Sequence, residues 1–206
     1  MEDVLDVYER AYDPQRPVVC MDEQPTQLIE ETAAPLPRAP DQPQRYDYEY
    51  RRNGTANHFM FCQPLGNWRR VGVRERKTAV DWAQEIATLL DEDFPEAQKV
   101  VLVCDNLNTH KIASLYEAFA PEQARAYVSR LEMHYTPKHG SWLNAAEIEL
   151  SILTQQCLDR RIPDLATLTA QVAAWQAQRN QSGKGVDWQF TTKDARIRLK
   201  RLYPQL

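Results

Sequence analysis

The chain is poor in cysteine. Its four, Cys20, Cys62, Cys104 and Cys157, are widely spaced and form no CxxC pair. Three of them sit in or beside apolar runs, the setting of buried reduced thiols rather than of zinc ligands or a disulfide framework. A basic leader is also missing: MEDVLDVYER is acidic where a secretory signal would carry cations. No apolar run approaches the length needed to cross a bilayer, and no segment repeats. Positive charge is short as well. Lys and Arg number 25 against 29 Asp and Glu, a formal net charge of -4, where a nucleic-acid-handling protein usually carries a basic balance. These absences predict a cytoplasmic protein with no membrane partner.

What is present suffices for a core. The 206 residues allow one ordinary domain, or one domain with an extra arm. Five Trp and nine Tyr supply large side chains to bury, and the low mean hydropathy reflects charge and Gln rather than disorder throughout.

Residues 1–15 read as a short helix, with Val4, Leu5 and Tyr8 as a partial stripe closed by Pro14 and Pro17. In RPVVCMDE the continuous run Val18–Met21 suits a strand covered on both faces. The prolines at 25, 35, 37, 40 and 43 predict an irregular or extended connection. Tyr46, Tyr48 and Tyr50 alternate with charged residues as in a half-exposed strand, and Asn53-Gly54 is a hairpin-turn signal. Strands at 56–62 and 69–74 then complete a three-stranded meander with the first. Thr78 is a candidate N-cap, with Asp81 in the first turn of a helix that stops before Pro95. VVLVC is a second fully apolar strand, ended by Asp105 and the polar loop DNLNTHKI. A helix over 111–119, another from Pro121, and a short strand LEMHY follow. A long helix opens near Ser141 or Trp142, and a last one covers 164–179. The order predicts an α/β fold: a mixed five-stranded sheet, antiparallel meander plus parallel crossover strands, with helices on both faces. That is the ribonuclease-H-like order. Residues 1–16 would be a helical lead-in, 17–182 the main domain and 183–206 a basic tail.

Two apolar strands each end in an acid, Asp22 and Asp105, and a later helix carries Glu147 and Glu149 in its first turns. Phosphodiester cleavage needs an activated oxygen nucleophile and a stabilised leaving oxygen, which two Mg²⁺ ions held by carboxylates supply. Taken singly, an Asp at a strand end is more often a turn former, and Glu147 a solvated helix residue. The helix stripe, Leu143, Ala146, Leu150, Leu153 and Cys157, leaves Glu147 and Glu149 on opposite edges, so periodicity does not choose between them.

The words CMDEQPTQL, VLVCDNLNTH and HYTPKHGSWLNAAEIELSIL, in this order, resemble the three acidic motifs of the IS630 family of bacterial transposases, in the IS630/Tc1/mariner superfamily with its DDE catalytic domain. The resemblance covers nearly the whole chain, residues 17–180. Tc1/mariner relatives carry a Leu-Asn pair followed three residues later by Glu; here Leu143-Asn144 puts Glu147 in that slot. The resemblance implies that Asp22, Asp105 and Glu147 form the catalytic, metal-binding triad, with Glu149 a neighbour. The cofactor it implies is a pair of Mg²⁺ ions, with Mn²⁺ as substitute. It implies nicking of transposon ends, attack of the freed 3′-OH on target DNA at a TA dinucleotide, and self-association in a transposition complex at the nucleoid. Asn106 and His110 match the second word and would orient Asp105 or touch DNA.

Two departures stand out. Asp105 and Glu147 lie 42 positions apart, a longer step than in Tc1-like relatives. The N-terminal helix-turn-helix modules with which full-length members read transposon ends are expected to be absent, which would explain the acidic balance. DNA contacts would then fall to the remaining basic positions. Residues 50–77 hold Arg51, Arg52, Arg69, Arg70, Arg74, Arg76 and Lys77, although charges on a hairpin edge also guard against aggregation. Lys138 and His139 precede the catalytic helix beside Trp142 and Asn144. Two rival readings remain: a ribonuclease-H-like nuclease without strand transfer, and a decayed or co-opted domain kept for binding alone.

Overall fold

The computed structural model describes residues 1–43, 45, 47–138, 140–183, 185–186 and 188–203. Five strands form one mixed sheet: β1 (Val18–Glu31), β2 (Tyr50–Gln63), β3 (Trp68–Arg74), β4 (Val100–Cys104) and β5 (Leu131–Tyr135). Their spatial order is β3-β2-β1-β4-β5. The first three pair antiparallel, and β1, β4 and β5 run parallel. Around them lie α1 (Glu2–Tyr8), α2 (Ala79–Thr88), α3 (Ile112–Ala118), α4 (Pro121–Ser129), α5 (Ala145–Leu153), α6 (Leu165–Gln181) and α7 (Thr192–Arg198). This is the ribonuclease-H-like arrangement that the order of elements predicts.

The two apolar runs lie side by side at mid-sheet and are buried on both faces, as their lack of alternation requires. Strand geometry sends successive side chains to opposite sides. Val18, Cys20, Val101 and Val103 therefore join one core with α1, α5 and α6, which contribute Leu5, Leu150 and Trp175. Val19, Met21, Leu102 and Cys104 join the other with α2, α3 and α4, which contribute Trp82, Leu115 and Tyr127. All four cysteines are buried free thiols. At the start of α2, Thr78 and Asp81 form a reciprocal capping box, each side chain bonding the other's backbone N–H.

The structure departs from the sequence reading in five places. β1 does not stop after Asp22 but continues through Pro25 to Glu31. Pairing with β4 ends at Cys20, so the distal half of β1 has a free edge on which a proline is tolerated. Asn53-Gly54 is not a hairpin turn, since β2 runs straight through it. Gln27 pairs with Thr55 and Ile29 with Arg52, so β2 carries one extra residue there; Gly54, at φ 90°, absorbs the bulge. Tyr48, 85% exposed, lies outside the strand, and Tyr46 lies outside the described residues. The helix expected near Ser141 begins as a single tight turn, and α5 proper starts at Ala145. The basic tail contains α7, a capped helix that packs on α1 with Ala195 fully buried. Among the described residues no helix is long and apolar enough to cross a membrane.

Candidate active site

Strand parity separates two adjacent acids. With Cys20 facing α5 and Met21 facing α2, Asp22 turns toward α5 and Glu23 toward α2. Asp105 follows the last residue of β4, and both aspartates sit just beyond the point where β1 and β4 stop pairing. There the strands no longer cover one another, and side chains at their ends are free to meet an incoming group.

Asn144 brings α5 to the same place. Its Oδ1 accepts from the Ala146 N–H at 3.2 Å, capping the helix. Its Nδ2 donates to the Met21 carbonyl at 2.7 Å, so the helix start is tied to the residue before Asp22. Glu147, half-buried, lies in the first turn. Burial pushes the Asp22 carboxyl up to about 6, and the charges of Asp105 and Glu147 add to the rise. The Glu23 amide, which donates to Asp22 Oδ1 at 2.8 Å, and the His110 charge pull the other way. Asp105 and Glu147 thus act on Asp22 as neighbouring like charges.

His110 connects the two faces of the strand ends. It is fully buried and stacks on Trp82 with ring centroids 5.9 Å apart. Nδ1 bonds Asp105 Oδ1 at 2.5 Å and Nε2 bonds Glu23 Oε1 at 2.8 Å. Burial alone would lower its pKa, but the hydrogen bonds with Asp105 and Glu23 outweigh burial and lift it to about 9. The imidazolium is therefore the charged form near neutrality, and it fixes the Asp105 carboxylate. Lys77 Nζ lies 3.6 Å from the other Glu23 oxygen.

A family profile described as DDE superfamily endonuclease matches residues 17–169, well over half of the chain. The chain belongs to the DDE superfamily endonucleases. The match agrees with the resemblance of the three acidic words to transposase motifs. The fold of this DDE domain is similar to that of solved Mos1 complexes. A Mos1 mariner paired end complex with Mn shares 17% identity at a TM-score of 0.56, over 87% of this chain and 54% of that one. A Mos1 strand transfer complex shares 15% at 0.56, over 87% and 53%. The domain spans about half the length of those chains. A comparison with curated proteins finds no match.

Several residues singled out in the sequence have other work in this DDE domain. Glu149 is 0% exposed and faces away from the aspartates, gripped by Arg69 Nη2 at 2.8 Å and by Arg179 Nη2 at 3.0 Å. Arg69, 2% exposed, is thereby an internal anchor between β3 and α5. Arg70 is likewise held inside, by Glu85 and by Asp93, with its guanidinium 4.5 Å from the Phe61 ring centre. Gly72 leaves room for this cluster: a Cβ there would stand 2.5 Å from the Glu85 carboxylate. His110 and Asn144 are also buried, each occupied by hydrogen bonds inside the domain. Lys138 and Asn106 are exposed, and Trp142 is 44% exposed with its edge on Phe190. Asp105, Asn106, Leu107, Thr136, Pro137, Lys138 and Ser141 line a cleft of about 390 Å³. His139 lies outside the described residues. Sequence reasoning passed over Glu23, whose only signal was its opposite parity to Asp22, and Arg179, whose partner Glu149, thirty positions earlier, no periodicity reveals.

Among the described residues no three acidic, His or Cys side chains close around a metal ion by themselves. The donor chemistry nevertheless suits Mg²⁺. That ion takes hard oxygens, keeps several waters, and is usually held by one or two carboxylates together with substrate phosphate rather than by an all-protein cage. An Asp22 carboxyl lifted by burial, and further by the Asp105 and Glu147 charges, belongs to a donor set that a divalent cation would relieve.

Proposed function

We propose that this chain is the catalytic domain of a DNA transposase, with Asp22, Asp105 and Glu147 as its metal-holding triad. The observation that carries the reading is the placement of Asp22 and Asp105 just beyond the last β1–β4 pair, with the start of the Glu147 helix tied by Asn144 to the residue before Asp22. When bound, two Mg²⁺ ions, or Mn²⁺ in their place, supply an activated oxygen nucleophile and stabilise the leaving oxygen. The protein's own share is positional. His110 holds Asp105, Asn144 sets the helix, and Lys138 with Asn106 and Trp142 at the neighbouring cleft meets the sugar-phosphate backbone. Water attacks the phosphorus at a transposon end and releases a 3′-OH; that hydroxyl then attacks a target phosphodiester and displaces its 3′ oxygen. Both DNA segments, and a second copy of the chain, are the partners this sequence of steps requires. Sequence-specific reading of the ends is assigned to residues other than those described.

The test is a plasmid-nicking assay with Mg²⁺, Mn²⁺ or EDTA, followed by a strand-joining assay with a pre-cut end. Metal-dependent nicking that disappears in Asp22→Asn, Asp105→Asn and Glu147→Gln is the expected result. Joining by the same metal-dependent protein supports transposition, whereas nicking without joining supports a plain nuclease. A chain that neither binds Mn²⁺ nor nicks is a binding domain only.

A further inference from the structure

We infer that Tyr8, from a helix outside the family-matched residues 17–169, is a positioning residue for Glu147. The inference rests on the proposed triad. Tyr8 is 8% exposed, and its hydroxyl is buried at the point where α5 begins. It donates to the Leu143 carbonyl at 2.7 Å and accepts from the Ala145 N–H at 3.3 Å. The Cys20 Sγ, on β1 two residues before Asp22, lies 3.2 Å from the same oxygen. One hydroxyl thus joins the residue before the Asn144 cap, the first residue of α5, and the strand that carries Asp22.

The contact is specific in what it satisfies. The first N–H groups of a helix have no partner inside it, and Asn144 takes only that of Ala146. Tyr8 takes the N–H of Ala145, two residues before Glu147. Asn144 ties the helix start to β1 from one side, and Tyr8 from the other. The ring is held in turn by Trp188, with centroids 4.8 Å apart, in the segment that leads to α7. The two flanks of the family-matched region therefore brace the helix that carries the third acid.

The experiment compares Mn²⁺ binding by calorimetry, and nicking kinetics, for the wild-type chain, Tyr8→Phe, Val7→Ala and Glu147→Gln, all well below their melting midpoints. Val7 is fully buried in the same helix, so Val7→Ala opens a cavity while leaving the Tyr8 hydroxyl and its hydrogen bonds in place. The expected result is about tenfold weaker Mn²⁺ binding in Tyr8→Phe, the low end of the range for groups that orient ligands. Its kcat should fall while KM for DNA stays constant, and Val7→Ala should bind Mn²⁺ as wild type does. Unchanged Mn²⁺ binding in Tyr8→Phe, or an equal loss in Val7→Ala, overturns the inference while the triad reading stands. Undiminished Mn²⁺ binding by Glu147→Gln overturns the triad reading and takes this inference with it.

Discussion

At the scale of single residues, the site is an arrangement of charges held in tension. Asp22 has the clearest consequence. Its folded pKa, raised from 3.8 to about 6, favours the protonated carboxyl, so stability from this group is complete below pH 4 and is lost as pH rises through 6. Without metal, this group should therefore make the wild-type chain less stable at pH 7.5 than at pH 5 by on the order of 1–1.5 kcal/mol. Asp22→Asn should abolish nicking and reduce that pH dependence, leaving the part due to His110, and Mg²⁺ should stabilise wild type but not the variant. Thermal melts in EDTA and in Mg²⁺ at both pH values measure this; a variant that melts far lower than wild type at pH 7.5 would make Asp22 a structural turn former. Glu149 shows the opposite behaviour. Arg179 and Arg69 hold its carboxylate below the usual range against the effect of burial. Glu149→Ala leaves buried guanidinium charge without its partner and should cost about 3–5 kcal/mol in urea unfolding. Glu147→Gln should leave the urea midpoint nearly unchanged. Equal midpoints for the two variants would contradict the division of labour between these neighbouring acids.

At the scale of elements, the start of α5 is the joint on which geometry depends. Asn144 has two jobs there, a helix cap and a tie to β1, and they separate on mutation. Asn144→Ser keeps a capping oxygen but loses the Nδ2 donor to the Met21 carbonyl. Stability should fall by less than about 1 kcal/mol, while nicking falls much further, because Glu147 is no longer registered against Asp22. Melting and single-turnover nicking on the same preparation decide the point; proportional losses in both would reduce Asn144 to a cap. The sheet has a similar lesson in Asn53-Gly54. The pair reads as a two-residue turn, yet β1 is long enough to pair on both sides of it. Local turn chemistry yields to the register of fourteen-residue strands, and the glycine's positive φ is used for a bulge instead.

At the scale of the whole molecule, charge is spent internally before it reaches the surface. Arg69, Arg70 and Arg74 are drawn inward by Glu149, Glu85 and Asp93, which leaves Arg52, Arg76, Lys77 and Lys138 among the exposed cations. α6, the longest helix, carries a single cation, Arg179, and Glu149 takes it. No described helix presents a basic face long enough to read a major groove. This chain should therefore bind DNA weakly and without sequence preference, with Kd of roughly 10⁻⁴–10⁻⁶ M at physiological salt, and lose affinity steeply as salt rises. A competition titration of a transposon-end duplex against scrambled DNA of equal length checks it. A marked preference for the end would locate a reading element that the described surface does not reveal.

Much of this was legible in one dimension. Apolar runs without alternation mark strands covered on both faces, and an acid directly after each run falls just past the point where β1 and β4 stop pairing and an open site can form. The three words in order then carry the family. Periodicity left Glu147 and Glu149 open, and the resemblance put Glu147 in the acidic slot; the capture of Glu149 by Arg69 and Arg179, the holding of Arg70, the burial of His110 between Asp105 and Glu23, and the arrival of Tyr8 at the head of α5 were decided only in three dimensions. Periodicity states which side of an element a residue occupies. It does not state what stands opposite, and for an ionisable side chain the partner opposite determines whether it is an anchor or a reagent.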